Sequence, residues 1–96
     1  MKQRLKEVEE FVDATASPEH RGKILLADGL EDGFIGLAER DGVQVAVYGI
    51  TSCIIAMINT NKWSLEEAEE YFYFNTLNAY VGEYSPLFIN EMHPDE

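Results

Sequence analysis

The chain has 96 residues, of which 46% are apolar, enough for one domain with a small core but not for two. Its longest apolar runs are only a few residues long, which excludes a membrane span of about 20 residues. No cationic start followed by an apolar stretch marks a signal peptide, and the lone Cys53 cannot form an internal disulfide. These features predict a protein of a reducing cytoplasm.

The net charge of −11 is unevenly distributed along the chain. Residues 1–62 hold ten acids and all seven bases, whereas residues 63–96 hold eight acids and no Lys or Arg. This pattern argues against binding to a phosphate backbone, which needs clustered cations. Two interpretations stay open: an acidic, solvated surface, or a surface that competes for a basic site on another protein, such as one that normally holds nucleic acid.

The first half of the chain predicts a helix and then a β-hairpin. Residues 1–16 place Leu5, Val8, Val12 and Ala16 at helical spacing, and the Ser-Pro pair at 17–18 ends the helix. The run at 24–27 fits either a short strand or a helical turn. Residues 34–40 and 43–48 flank Asp-Gly at 41–42, the sequence of a two-residue hairpin turn. The turn sets a register that pairs Ala38 with Val45 and Gly36 with Val47. That register puts Phe34, Gly36 and Ala38 on one face and leaves both faces substantially apolar.

The second half predicts two helices and a third strand. Thr51 or Ser52 can cap a helix that runs to about Asn59. Ser64 and Glu67 form a capping-box pattern, from which a second helix runs to about residue 81 before Gly82 ends it. Residues 87–90 follow Pro86 and are predicted to form a third strand.

The predicted order is therefore α-β-β-α-α-β. It indicates an α+β fold: a single small domain over residues 1–96, with a small antiparallel sheet and helices packed on it. Within it we distinguish the N-terminal helix (1–16), the α+β core (17–90) and an acidic tail (91–96).

Motifs for catalysis, metals and cofactors are weak. Residues 28–39 partly match a calcium-binding loop, but the third ligand position holds Leu30 and a predicted strand follows. We expect Cys53 to be a core residue. Neither His20 nor His93 has a nucleophile as an evident partner or forms a metal-ligand cluster with Cys53. We therefore predict no enzyme, no metal site and no cofactor.

Asn75 and Asn78 interrupt the aromatic stretch of the second predicted helix. Asn75 is expected on the face led by Leu65 and Ala68, where a buried amide must find hydrogen-bond partners. The expected role is to tie the helix to the hairpin or to the 82–86 turn, and the functional alternative is a ligand-facing amide.

The same helix carries an acidic and tyrosine-rich surface. Four consecutive aromatic residues at 71–74 cannot all face one core, so at least Tyr73 should point outward among glutamates. Tyrosines within an acidic rim are typical of protein interfaces and are also compatible with a homodimer. The predicted partner-binding residues are Glu66, Glu67, Glu69, Glu70, Tyr73, Tyr80, Glu83 and Tyr84.

Residues 63–75 and 79–86 resemble a group of small uncharacterised proteins encoded by bacteriophages and prophages. The shared features are an acidic-aromatic helix ending in Phe-Asn, an Ala-aromatic-Val-Gly-Glu turn and a Pro-led strand. Residues 28–36 and 46–48 are also similar, so the resemblance covers roughly residues 24–90 and leaves the N-terminal helix outside. It brings no established activity, but it implies a viral accessory protein in the cytoplasm of a bacterial host. That class includes small acidic inhibitors of host defence such as anti-CRISPR proteins.

The leading hypothesis is a non-enzymatic inhibitor that binds a basic groove of a host nucleic-acid-handling complex, protein or ribonucleoprotein, without touching nucleic acid or membrane. The alternative is a small homodimeric accessory protein that binds a small molecule, such as a nucleotide signal, around Asn75 and Asn78.

Overall fold

The computed structural model describes residues 2–77, 79 and 82–92, and it confirms the α+β class and the predicted order of elements. In these residues, three helices, two short helical turns and three strands form one small domain. In chain order they are α1 (Lys2–Thr15), a 3₁₀ turn (Glu31–Gly33), β1 (Phe34–Arg40), β2 (Val43–Gly49), α2 (Ile50–Asn61), α3 (Leu65–Tyr71), a π-helix (Phe72–Thr76) and β3 (Leu87–Ile89).

The hairpin of β1 and β2 forms around the predicted turn. Asp41 and Gly42 both have positive φ, 55° and 82°, as a two-residue hairpin turn requires. The predicted register, in which Ala38 pairs with Val45, is confirmed along most of the hairpin. A bulge near its start places Phe34 opposite Tyr48, so the prediction that Phe34 shares a face with Gly36 was wrong. The shift lets the Phe34 ring contact the Tyr48 ring, with centroids 5.6 Å apart.

The sheet is mixed rather than antiparallel, which corrects the sequence prediction. Its strand order is β1-β2-β3, with β1 antiparallel and β3 parallel to β2. The crossover through α2 and α3 returns the chain in the same direction before β3 pairs with β2. Only three residues of each strand pair, from Val47 with Leu87 to Gly49 with Ile89.

Two apolar clusters hold the elements together. In the main core, Tyr48 and Phe72 are fully buried, and each contacts the Phe88 ring of β3, at centroid distances of 5.7 and 5.3 Å. In the second cluster, Val8 and Val12 of α1 pack with Phe34 and Leu37 of β1. The N-terminal helix therefore packs back onto the domain.

Helix α2 begins without the predicted side-chain cap. Its N-cap is Gly49 rather than Thr51 or Ser52, and glycine has no side chain that could accept a hydrogen bond from the first turn. Instead, the Glu91 carboxylate accepts hydrogen bonds from the Ser52 backbone N–H (2.8 Å) and from the Ser52 hydroxyl (2.7 Å). Glu91 is thus part of the folded domain rather than of a free tail; residues 93–96, with His93, lie outside the described residues.

The segment between α1 and β1 packs against the main core without forming a regular strand or helix at residues 24–27. The Ala27 N–H donates a hydrogen bond to the Tyr48 hydroxyl (2.8 Å), and Leu30 is buried in the main core. The calcium-like loop therefore supplies a core side chain at its third position. In the described part of the chain, no helix is long and apolar enough to cross a bilayer.

Candidate functional site

The capping box fixes the start of α3 and the direction of its glutamates. The Glu67 N–H donates to the Ser64 hydroxyl (3.2 Å), and the Ser64 N–H donates to the Glu67 carboxylate (2.9 Å), as predicted. Only Ala68 of the seven residues of α3 is buried. The helix therefore presents Glu66, Glu69 and Glu70 to solvent.

Helix α3 changes into a π-helix at its aromatic run, earlier than the predicted end near residue 81. The Leu77 N–H donates to the Phe72 carbonyl (2.8 Å), the five-residue spacing of a π-helix. Phe72 fills the core, whereas Tyr73 and Phe74 remain 43% and 75% exposed. The structure thus places Tyr73 outward, as predicted, and adds Phe74, the most exposed aromatic residue among those described.

The glutamates of α3 form no ion pair with any described Lys, Arg or His residue. Within the described residues, the only ion pair between a carboxylate and an Arg or Lys joins Arg4 to Glu7, and His20 Nε2 lies 4.0 Å from the Glu19 carboxylate; both contacts are far from α3 in sequence. The side chains of Glu66, Glu69 and Glu70 form no hydrogen bond or ion pair with another described residue. Their negative charge is therefore available to an external cation.

Two of the predicted partner-binding residues, Glu83 and Tyr84, contact parts of the fold other than α3. The Tyr84 hydroxyl lies 3.0 Å from His20 Nδ1, and the two rings also contact each other, so this half-buried tyrosine serves the fold. Glu83 is exposed, and its backbone carbonyl accepts a hydrogen bond from the Arg40 guanidinium (3.1 Å). Tyr80 lies outside the described residues, and so does Asn78 of the alternative ligand site.

Asn75 is not the buried tie that its sequence position indicated. Its side chain is exposed and makes no hydrogen bond with any other described residue. The prediction failed because the π-helix widens the turn after Tyr71 and moves Asn75 off the face of Ala68. The amide instead lines two neighbouring concave surfaces.

The larger of these is a cleft of about 600 Å³ between the 26–30 segment, the end of α2 and the π-helix. Its walls are mostly apolar, and its size and polarity fall in the range of small-molecule sites. No Lys or Arg is among the described residues that line it. Its main apolar side chains are Leu26, Leu30, Met57, Trp63, Tyr71 and Phe88, and its polar ones are Asp28, Thr60, Asn61, Asn75 and Thr76.

The smaller is an open pocket of about 380 Å³ on the outer side of α3, which we call the aromatic pocket. Its lining consists of three aromatic side chains, two carboxylates and one amide: Trp63, Tyr71, Phe74, Glu67, Glu70 and Asn75. The rings of Trp63 and Tyr71 lie 5.0 Å apart at 48°. The aromatic pocket shares Trp63, Tyr71 and Asn75 with the cleft.

The Cys53 thiol and the Tyr48 phenol are buried. Burial, with a smaller contribution from the charge of Glu91, raises the pKa of the Cys53 thiol to about 12, so the thiol is protonated at neutral pH. Burial also raises the pKa of Tyr48 to about 12, against the opposing effect of the hydrogen bond from Ala27. Among the described residues, no group of three or more His, Cys, Asp or Glu side chains could hold a metal ion.

The fold and the site thus define a small α+β domain with an acidic, aromatic surface beside a cleft. Comparison with protein-family models, with curated proteins and with solved structures found no match to this chain. The site residues that sequence reasoning missed are Trp63, Tyr71 and Phe74. For Tyr71 and Phe74 the signal was present in the run of four aromatics at 71–74, but which members of that run face outward depends on the π-helix.

Proposed function

We propose that this protein is a non-enzymatic inhibitor from a phage or prophage that binds a basic groove on a host nucleic-acid-handling complex through α3 and the π-helix. The observation that carries the proposal is a mostly exposed Phe74 next to unpaired glutamates on one short helical surface. An aromatic side chain left in water costs solvation free energy, and exposed aromatics in a charged rim are typical of binding surfaces.

The charge of this surface favours a basic partner. Glu66, Glu69 and Glu70 are exposed and lack partners within the described chain, so they would gain Coulomb energy from Lys or Arg on a partner. No Lys or Arg follows position 62, so the same surface would repel a phosphate backbone. A groove that normally holds nucleic acid has the complementary charge, and an acidic protein would compete with nucleic acid for it.

The test is capture of a partner from nuclease-treated bacterial lysate by the tagged protein, at low and high salt, with mass spectrometry of what is retained. The disruptive variant is Glu66→Lys/Glu69→Lys/Glu70→Lys. The matched control is Glu9→Lys/Glu10→Lys/Asp13→Lys, which makes the same change in net charge at three exposed acids of α1.

We expect the native protein and the α1 control to retain a nucleic-acid-handling complex at low salt and to release it at high salt, whereas the α3 variant loses it. Equal retention by the α3 variant would place the interface elsewhere. Capture of nothing beyond the protein itself by the native chain would refute the proposal.

A second candidate function is small-molecule binding in the cleft, which the volume and the free Asn75 amide favour. The lack of Lys and Arg among its described lining residues favours a neutral or cationic ligand over a nucleotide. A thermal-shift screen separates the two functions, since a ligand that binds the folded chain raises the Tm without any protein partner.

A further inference from the structure

We propose that the aromatic pocket is a binding site for a guanidinium group, and that it takes an arginine side chain of the protein partner. This inference rests on the proposed function and deepens it, because it names the group on the partner that the acidic surface recognises. The proposed site is the aromatic pocket and not the larger cleft, with which it shares Trp63, Tyr71 and Asn75.

The walls of the aromatic pocket have the chemistry of a cation site. Trp63, Tyr71 and Phe74 line it together, and Tyr71 and Phe74 are 46% and 75% exposed, so their rings are accessible. The faces of such rings carry negative electrostatic potential and attract organic cations. The rings alone would also accept a neutral apolar group, so the polar members of the lining decide the class of ligand.

Those polar members are two carboxylates and an amide. The Glu67 carboxylate already accepts the hydrogen bond from the Ser64 N–H, whereas the side chains of Glu70 and Asn75 form no hydrogen bond with another described residue. A carboxylate next to aromatic rings repels anions and pairs with a cation that stacks on those rings. A guanidinium fits better than an ammonium, because it is planar, weakly hydrated and able to pair with a carboxylate through two parallel N–H groups.

A second copy of this chain is a poor source of the guanidinium. The chain has three arginines, and all three donate to backbone carbonyls of their own chain. Arg4 bonds to the carbonyls of Glu31 and Phe34, Arg21 to that of Ala16, and Arg40 to those of Glu83 and Ser85. The high negative charge of each copy also opposes self-association. The arginine therefore comes from a different protein.

The test uses the indole N–H of Trp63, the only tryptophan of the chain, as a unique NMR signal in the pocket wall. The ¹⁵N-labelled protein is titrated with N-acetyl-argininamide, with N-acetyl-lysinamide and with N-acetyl-citrullinamide, a neutral compound of nearly the same shape as the first. We expect saturable shifts with the arginine compound, at a Kd of roughly millimolar order for so small a probe, weaker shifts with lysine and none with citrulline.

Matched variants test the assignment to the pocket. Phe74→Ala and Glu70→Gln should each weaken arginine binding several-fold. Two control variants should leave it unchanged: Leu65→Ala, which truncates an exposed apolar side chain outside the pocket lining, and Glu69→Gln, which makes the same charge change as Glu70→Gln one residue away. All four residues are exposed, so the variants should fold, and the dispersion of their amide spectra verifies this.

Several results would overturn the proposal: no saturable shift with the arginine compound, equal shifts with citrulline, tighter binding of lysine, or equal losses in Glu70→Gln and Glu69→Gln. The capture experiment separates this failure from that of the proposed function. If Phe74→Ala retains a host complex as well as the native chain does, the acidic surface is still the interface but the aromatic pocket is not part of it. If the arginine compound binds but the native chain captures no complex, the pocket binds a guanidinium and the proposed function fails.

Discussion

Glu91 and Gly49 show how single residues far apart in sequence depend on each other. The Glu91 carboxylate lies at the start of α2, where it accepts two hydrogen bonds from Ser52. A Cβ atom on Gly49 would occupy the space of that carboxyl group. The Gly49 backbone has φ −85° and ψ 130°, an extended conformation that any residue adopts, so glycine is required there for space alone.

This arrangement predicts a coupled effect of two substitutions. Gly49→Ala should lower the free energy of unfolding by about 1–3 kcal/mol in the native chain, because the new methyl group displaces Glu91. In a Glu91→Ala background the same change should cost less than about 0.5 kcal/mol, since the space is then free. Urea unfolding of the four proteins in this cycle measures the coupling. An equal cost of Gly49→Ala in both backgrounds would contradict it.

At the scale of elements, the junction of α3 with the π-helix sorts the aromatic run between core and surface. Phe72 is fully buried and contacts Phe88, with ring centroids 5.3 Å apart and the planes at 90°. Phe74, two residues later, is 75% exposed. One helical segment thus contributes a ring to the core and another ring to the candidate binding surface.

The two phenylalanines therefore form a matched pair for mutation. Phe72→Ala should destabilise the domain by about 3–5 kcal/mol, because it empties a fully enclosed position. Phe74→Ala should change stability by less than about 1 kcal/mol, because little of its surface is buried. Thermal unfolding followed by circular dichroism compares the two. A Phe74→Ala variant as unstable as Phe72→Ala would show that Phe74 packs inside the domain.

Local sequence signals predicted these elements better than their arrangement. The Asp41-Gly42 turn and the Ser64–Glu67 capping box were predictable, because each depends on neighbours within a few residues. The parallel pairing of β3 and the contact of Glu91 with Ser52 were not, because both join segments across the crossover. The same division holds in the site. The exposed glutamates followed from the capping box, but the outward turn of Phe74 follows from the π-helix.

At the scale of the whole molecule, the thiol of Cys53 and the phenol of Tyr48 make the free energy of unfolding fall at alkaline pH. Burial raises the pKa of Cys53 from 9.0 to about 12 and that of Tyr48 from 10.0 to about 12. Both values are higher in the folded chain than in the unfolded chain, so the unfolded chain loses these protons first as the pH rises. The stabilisation is complete below about pH 9 and is lost progressively toward pH 12.

Cys53→Ala should remove the part of this dependence that begins near pH 9. Between pH 8 and pH 10.5, the native chain should lose on the order of 1–2 kcal/mol more unfolding free energy than the variant, whatever the cost of the substitution at pH 8. Urea unfolding at a series of pH values gives both curves. Parallel curves would mean that the thiol titrates alike in the folded and unfolded chains.

The parallel pairing of β3 with β2 also bears on the order in which the chain folds. The hairpin closes over a two-residue turn, whereas β3 reaches β2 only after residues 50–86 have been placed. Closing the longer loop costs more conformational entropy, so the hairpin is favoured as an early event and the three-residue β3 as a late one. While β3 is absent, the outer edge of β2 has open hydrogen-bonding groups. In that interval, β3 of a neighbouring chain could fill the same place, which makes strand exchange the characteristic misfolding risk of this topology.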